Sequence, residues 1–492
     1  MASYPPAGAP KPDVARVEAV FSRLRDELGI RTSFPPEVEA EAAEAAKRVP
    51  TTDGGRVDRT AIPLVTIDPP GSRDLDQAFA IERDGSGLKL WYAIADVGFF
   101  VDRGGAVERE GWLRGVTIYA PDRREPLYPA VLSQGVASLL PDEPRPAILF
   151  GFRLDEKAEI ASSTVERALV RSRAQLTYAQ ALEHVESGGE TFRGKEWAES
   201  LTLLKEFGEK RRERERERGG VSLPIAQQHV QRSAATRLGY DLEYELPNTA
   251  EEWNAQMSLL TGHAAALRML KGGVGLLRTM PAPDEERLKS FRHAARTLGF
   301  DWPREMDYNE FIRSLPLDHP HLLPLVWQAR RVTGGADYVA FDGAPPADPL
   351  HHALAMEYAH VTAPLRRLAD RYVLDLLVEL ETGKAPSPEE RATLAKLPPM
   401  MNGAETREGK LERKLVDVAE AWMLQSRVGE RFFATVLGVR GGKAEVQIDQ
   451  PPVRVEVRLP EHHRFLELGE NVAVRLESVA LEEGKLGFAL EG

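Results

Sequence analysis

The pattern of apolar and polar positions divides the chain into an N-terminal helical part, a central mixed part and a C-terminal part made of strands. Apolar residues recur at helical spacing over residues 13–28, and a proline-initiated second helix follows to residue 48. From residue 431 onward the apolar positions alternate in five short segments. Five strands within about 65 residues are typical of an OB-type barrel.

These patterns predict an α+β protein: a mixed sheet surrounded by helices, a small helical N-terminal module and a C-terminal all-β barrel. The predicted boundaries are a disordered tail at 1–12, the helical module at 13–60, the central domain at 61–427 and the barrel at 428–492. The helical module has nearly balanced charges, so a brace against the next domain is favoured. A helix-turn-helix that contacts nucleic acid remains an alternative.

Composition and charge narrow the class of protein. The chain has 492 residues, no cysteine and a net charge of −12, so it has no disulfide and no thiolate metal site. No apolar run reaches the length of a membrane span, and no signal peptide is evident, so we expect a cytoplasmic protein. The net charge argues against a general nucleic-acid binder, although a local basic channel would be consistent with it.

One acidic stretch carries the strongest candidate chemistry. An apolar run, Leu64–Ile67, predicts a buried strand, and Pro69-Pro70-Gly71 ends it in a tight loop. Asp68, Asp74 and Asp76 fall within nine residues of this loop. Carboxylates this close repel one another, and hard oxygen ligands suit Mg²⁺ or Mn²⁺. The alternative is an acidic turn on the surface.

A second stretch, Tyr358–Asp370, combines a predicted helix start with arginines. Pro364 is suited to the first turn of a helix, which would place Arg366 beside free backbone N–H groups. A helix N-terminus together with a guanidinium predicts a phosphate site. Arg367 and Asp370 are expected to pair and to hold the helix in place.

Together the two stretches resemble the RNB catalytic domain of the ribonuclease II family. The family patterns are I-D-x-x-x-x-x-D-x-D-D-A and Y-x-H-x-T-S-P-I-R-R-Y-x-D, and the resemblance extends over roughly residues 30–490 by motif order. This chain departs from them at Gln77, Ala363 and Leu368, where the family has Asp, Ser and Tyr. The N-terminal module is too short for the two cold-shock barrels that relatives commonly carry.

The resemblance implies an Mg²⁺-dependent 3′→5′ exoribonuclease that hydrolyses single-stranded RNA to nucleoside 5′-monophosphates, processively, in RNA decay or processing. It implies one or two Mg²⁺ ions, with Mn²⁺ as a substitute, and single-stranded RNA as the partner of a monomeric protein. The implied catalytic residues are Asp74, Asp76 and Arg366, and the implied metal ligands are Asp68, Asp74, Asp76 and Gln77. The implied RNA-binding residues are Tyr119 and Arg366. Arg367 is a further candidate for RNA binding, and Phe432 and Phe433 on the first strand of the barrel are candidates to stack on bases.

Two departures from the family leave alternatives open. Gln77 removes one carboxylate, which predicts weaker Mg²⁺ binding. The second aromatic of the family's base clamp falls near Val274, which is not aromatic. An RNA-binding regulatory protein with weakened catalysis is therefore an alternative, and a nuclease for single-stranded DNA is another.

Overall fold

The structure, a computed structural model, describes residues 14–52, 55–221, 227–232, 240–245, 248–316, 318–332, 334–448, 450–459 and 466–491. The tail predicted over residues 1–12 lies outside these ranges. Within them, no helix combines the length and the apolar character that crossing a membrane requires. The cytoplasmic location stays a prediction.

The described part of the chain contains both helices and strands. Its α-helices are α1 (Val14–Glu27), α2 (Pro36–Ala45), α3 (Ala106–Arg114), α4 (Tyr178–Glu186), α5 (Ala198–Glu217), α6 (Thr249–Gly272), α7 (Glu285–Thr297), α8 (Tyr308–Arg313), α9 (Leu322–Ala329), α10 (Leu368–Glu381) and α11 (Pro388–Leu424). Its first strands are β1 (Val57–Asp58), β2 (Leu64–Ile67), β3 (Gln77–Asp84), β4 (Gly87–Ala95), β5 (Ile118–Tyr119), β6 (Arg124–Glu125), β7 (Arg145–Leu154), β8 (Ile160–Val170), β9 (Ser172–Leu176) and β10 (Gln227–Arg232). The later strands are β11 (Tyr240–Glu245), β12 (Val274–Thr279), β13 (Asp337–Asp342), β14 (Leu350–His351), β15 (Met356–Glu357), β16 (Arg431–Arg440), β17 (Lys443–Ile448), β18 (Arg454–Arg458), β19 (Asn471–Ala480) and β20 (Lys485–Leu490).

The central sheet has seven strands in the order β1-β8-β7-β4-β3-β2-β9. The pairs β1–β8 and β2–β9 are parallel, and the other neighbouring pairs are antiparallel. All four residues of β2 are buried, and helices cover the sheet, with α5 against β3 and α10 against β8. A strand that is buried throughout suits a sheet with both faces covered. The predicted mixed sheet surrounded by helices is confirmed.

The C-terminal strands close into a five-stranded barrel in the order β16-β17-β18-β20-β19, as the alternating pattern predicted. The barrel has an apolar core of its own. Helices α7 to α9 form a separate apolar cluster, and α9 docks on the barrel. There the side-chain amide of Gln328 donates to the Leu437 carbonyl at 2.6 Å, and Trp327 donates to Glu445 at 3.0 Å.

The N-terminal helices pack against the central domain, with α1 against α11 and α2 against α3. The side chain of Arg25 on α1 is 1% exposed. Its two terminal nitrogens donate to the carboxylate of Asp122 at 2.6 and 3.0 Å, and its Nε lies 2.8 Å from Glu125. The module therefore braces the short hairpin formed by β5 and β6.

The buried hydroxyl of Ser138 forms two hydrogen bonds with the backbone of the acidic loop between β2 and β3. The Ser138 Oγ donates to the Arg73 carbonyl at 2.7 Å and accepts from the Leu75 N–H at 2.9 Å. Ser138 is fully buried. The two bonded peptide groups flank Asp74, so this hydroxyl fixes the backbone on both sides of a candidate site residue.

We predict that Ser138→Ala loosens this loop. The variant leaves the Arg73 carbonyl and the Leu75 N–H without their buried partner, which costs about 1–3 kcal/mol of folding free energy. Hydrogen exchange should become faster at the Leu75 amide, and chemical denaturation should show the loss of stability.

A matched control is Ser200→Ala. The Ser200 hydroxyl accepts from the Ile81 N–H at 3.1 Å and donates to the Ile81 carbonyl at 3.2 Å, in the middle of β3. This variant should lose comparable stability without faster exchange at Leu75. Equal exchange at Leu75 in both variants would show that Ser138 has no specific effect on the loop.

Candidate active site

Asp76 joins the two motifs that the sequence singled out. It lies directly before β3, and its carboxylate is buried. One carboxylate oxygen accepts from the Leu365 N–H at 2.8 Å, and the other lies 3.3 Å from Nε of Arg366. The Arg366 side chain is 45% exposed, so it faces both the acid and the solvent. The structure thus brings Asp76 and Arg366 into direct contact, as a shared site requires.

Asp74 has two partners that come from the hairpin of β5 and β6. Arg124 donates to one carboxylate oxygen at 2.6 Å, and the Tyr119 hydroxyl donates to the other at 3.2 Å. Tyr119 and Arg124 are direct cross-strand partners, which is why both reach the same carboxylate. The sequence analysis did not identify Arg124, although its place five residues after Tyr119 in a turn is a usable hairpin signal.

Burial disfavours the charged forms of Asp68 and Asp76, so positive charge nearby would stabilise both carboxylates. Burial raises the pKa of Asp68 to about 6 and that of Asp76 to about 7, and the charge of Arg366 opposes both shifts. Among the described residues, none forms a hydrogen bond with the buried Oδ2 atom of Asp68. A buried carboxylate oxygen without a donor suits a cation, and oxygen ligands suit Mg²⁺ or Mn²⁺.

The three acids do not form a complete metal cage by themselves. Within the described ranges, no three Asp, Glu or His side chains are grouped closely enough to hold a metal ion. Asp74 faces Arg124 and Tyr119, so the fit to a cation rests on Asp68 and Asp76. The full ligand set stays a prediction.

Gln77 differs from the expected ligand, because both ends of its amide are engaged. Its Nε2 donates to the Thr362 carbonyl, and its Oε1 accepts from the Tyr92 hydroxyl at 3.3 Å. An amide oxygen that already accepts a hydrogen bond is a poorer candidate for a metal ligand. This arrangement argues against the predicted ligand role of Gln77.

The expected helix start at Pro364 is wrong. Pro364 to Arg366 form a turn, and α10 begins at Leu368 after the extended Arg367. The Arg366 carbonyl accepts from the Thr117 N–H at 2.9 Å, and the Leu368 N–H donates to the Gly115 carbonyl at 2.9 Å. These bonds to a distant segment keep the chain extended where a helix was predicted. Arg366 is therefore placed by a turn and not by a helix N-terminus.

Arg367 forms the expected pair with Asp370. Its Nη2 donates to the Asp370 carboxylate at 2.8 Å, and Asp370 also accepts from the Ala363 N–H at 2.8 Å. Asp370 is fully buried. This use of its guanidinium favours a structural role for Arg367 over the RNA-binding role that was also predicted.

The aromatic residues separate into exposed and buried ones. Tyr119 is 48% exposed beside Asp74, which leaves part of its ring open to a ligand. Val274, at the position expected for a second clamp residue, is 1% exposed and lies in the core. On the barrel, Phe432 is 4% exposed and packs against Phe488, whereas its neighbour Phe433 is 66% exposed. The expectation that Phe432 stacks on RNA bases is wrong, because adjacent residues of a strand point to opposite faces and Phe432 faces inward.

A further acid near the arginines comes from α11. Burial raises the pKa of Glu408 to about 7, with Glu412 and Glu405 adding to the shift, while Arg366 and Arg367 oppose it. Glu408 was missed because it lies 38 residues beyond Asp370, the end of the arginine motif, and no local pattern joins the two.

Comparisons with known proteins show the family of this chain. Residues 56–383 match the RNB domain model, and residues 430–491 match the model of the RNase II-type exonuclease C-terminal S1 domain. Ribonuclease R of Escherichia coli (strain K12) is 28% identical over 500 residues, which cover 93% of this chain and 60% of that protein. Ribonuclease R of Aquifex aeolicus is 26% identical over 518 residues, which cover 98% of this chain and 71% of that protein.

Solved structures share the fold. Mycoplasma genitalium RNase R in complex with ribose-methylated single-stranded RNA has a TM-score of 0.87 at 19% identity, over 96% of this chain and 78% of that one. Yeast Ssd1, a pseudonuclease, has a TM-score of 0.72 at 16% identity, over 95% of this chain and 59% of that one. With both family models matched in order along the chain, this protein belongs to the RNB-domain family and carries an RNase II-type C-terminal S1 domain.

Proposed function

We propose that the protein is a divalent-cation-dependent 3′→5′ exoribonuclease that hydrolyses single-stranded RNA processively to nucleoside 5′-monophosphates. The contact between Asp76 and Arg366 carries this proposal, because it places a buried acid and a half-exposed guanidinium side by side. Two further findings support the choice of substrate: the family membership, and the single-stranded RNA in complex with Mycoplasma genitalium RNase R.

The residues of the site divide the work of phosphodiester hydrolysis. Asp68 and Asp76 are the residues that would hold Mg²⁺, which would activate water and offset charge on the leaving oxygen. The exposed part of Tyr119 stacks on the terminal base, because an aromatic face accepts any base. Arg366 donates to the phosphoryl oxygens as the bond from water to phosphorus forms and the bond from phosphorus to the 3′ oxygen breaks. Arg124 and Ser138 hold Asp74 and its loop in place.

One observation favours a second candidate, an RNA-binding protein with lost or weakened catalysis. Gln77 replaces an acid of the family pattern, and the fold is shared with a pseudonuclease. Release of labelled mononucleotide from matched RNA and DNA oligomers, with and without Mg²⁺, separates the candidates. Release from RNA alone and only with Mg²⁺ supports the exoribonuclease. Binding without release supports the second candidate, and release from DNA identifies a nuclease of broader specificity.

We predict that Asp76→Asn lowers the rate of RNA degradation by about 10²-fold or more while RNA binding survives. The substitution removes one charge from the acids but keeps an oxygen that can accept from Leu365. Binding depends mainly on phosphate contacts along the RNA. Single-turnover degradation and a binding titration of the same oligomer measure the two effects.

Asp84→Asn is the matched control, since Asp84 ends the same strand and is paired with Arg153 on the surface. It should degrade RNA at the rate of the unmodified protein. Near-normal turnover in Asp76→Asn would contradict the proposed role of the acids.

For Arg366→Lys we expect a larger loss in turnover than in RNA affinity. Lysine keeps the charge but not the planar fork of donors. The contact should strengthen as charge develops on the phosphoryl oxygens, so its loss affects the transition state most. Turnover and affinity measured on one short RNA test this, and equal losses in both would assign Arg366 to RNA binding alone.

A further inference from the structure

Gln77 lies where the acidic stretch meets the arginine motif. It is the first residue of β3 and is partly buried. Its side-chain Nε2 donates to the main-chain carbonyl of Thr362, 285 positions later in the sequence. The Thr362 residue is 4% exposed, so its carbonyl depends on a protein donor.

The hydrogen bond to the Thr362 carbonyl fixes the orientation of this amide, because a carbonyl oxygen only accepts. The Tyr92 hydroxyl donates to Gln77 Oε1 at 3.3 Å, and it lies 2.9 Å from Ser258 Oγ. Since Tyr92 uses its only proton toward Gln77, Ser258 donates to Tyr92. Reversing the amide would set its oxygen against the Thr362 carbonyl, so that two acceptors would face each other. The amide therefore has one orientation, with its donor toward Thr362.

A second bond runs beside the first. The carboxylate of Asp76 accepts from the Leu365 N–H at 2.8 Å. Two consecutive residues, Asp76 and Gln77, thus hold the segment that carries Arg366. They bind it at Leu365 and Thr362, which are three positions apart. Two attachment points fix the orientation of the turn as well as its distance, which one bond alone does not.

We infer that Gln77 is a positioning residue and not a metal ligand: it holds the Arg366 turn against the start of β3. A side chain that serves this purpose must donate a hydrogen bond, because the Thr362 carbonyl only accepts. A carboxylate accepts only, so glutamate would place a negative oxygen against that carbonyl, and aspartate would also be too short. The effect on catalysis rests on the proposed function, whereas the hydrogen-bond bridge does not.

The test uses the nearly isosteric change Gln77→Glu, which removes the donor and adds a charge. Hydrogen exchange of the Leu365 and Arg366 amides, measured without Mg²⁺, should become about tenfold faster. Turnover of a short RNA should fall with little change in KM, and a raised Mg²⁺ concentration should not restore it. Gln77→Met, which lacks both the donor and the charge, should have the same effect on exchange.

The matched control is Gln175→Glu. The exposed Gln175 donates its amide to the Ser72 carbonyl at 2.7 Å, on the loop before β3. This variant should leave the exchange of Leu365 and Arg366 unchanged. The exchange of barrel amides and the midpoint of unfolding, measured in all variants, show whether a change is local or global.

The outcomes are distinct. Faster exchange at Leu365 and Arg366 with an unchanged barrel supports the inference, even if the protein itself degrades no RNA and the proposed function fails. Unchanged exchange in Gln77→Glu, together with a lower Mg²⁺ requirement, overturns it and makes Gln77 a weak member of the metal site. Global unfolding of both Gln77 variants would also overturn it, since the role would then be general stability.

Discussion

The carboxylate of Asp76 is the contact on which the site depends. It joins a strand near the start of the central domain to a turn 289 positions later, through the Leu365 amide and the Arg366 guanidinium. Because the carboxylate is buried, each of these donors has a strong effect: low solvent access strengthens a satisfied contact and makes an unsatisfied one costly. This contact sets the position of the two motifs relative to each other.

The same burial explains why the site suits a cation. Asp68 and Asp76 both have raised pKa values because burial disfavours their charged forms. Asp74 is balanced differently, by Arg124 and Tyr119 from a hairpin that α1 braces through Arg25. Positive charge from outside the protein is therefore needed mainly on the side of Asp68 and Asp76. That division of charge could not be inferred from three acids in a row.

The outer parts of the fold act through packing on this centre. The N-terminal module packs on α11 and α3 and holds the hairpin of β5 and β6. The barrel is fastened through α9, where Gln328 and Trp327 donate to its strands. On the barrel surface the exposed ring of Phe433, with the Arg431 guanidinium 5.4 Å from its centre, is an aromatic face open to solvent. These contacts keep the appended parts in fixed positions relative to the central sheet.

The sequence alone determined the elements whose signals are local: the buried β2, the alternating strands of the barrel and the candidate acids. The sequence also predicted the pair of Arg367 and Asp370, because these two residues are three positions apart. Only the tertiary structure decided which of the adjacent residues Phe432 and Phe433 points outward, because alternation sets the period but not the face. Long-range hydrogen bonds likewise moved the start of α10 to Leu368 and gave Gln77 its partner Thr362. Local patterns report periodicity and turn chemistry, whereas these features depend on groups brought together from hundreds of residues away.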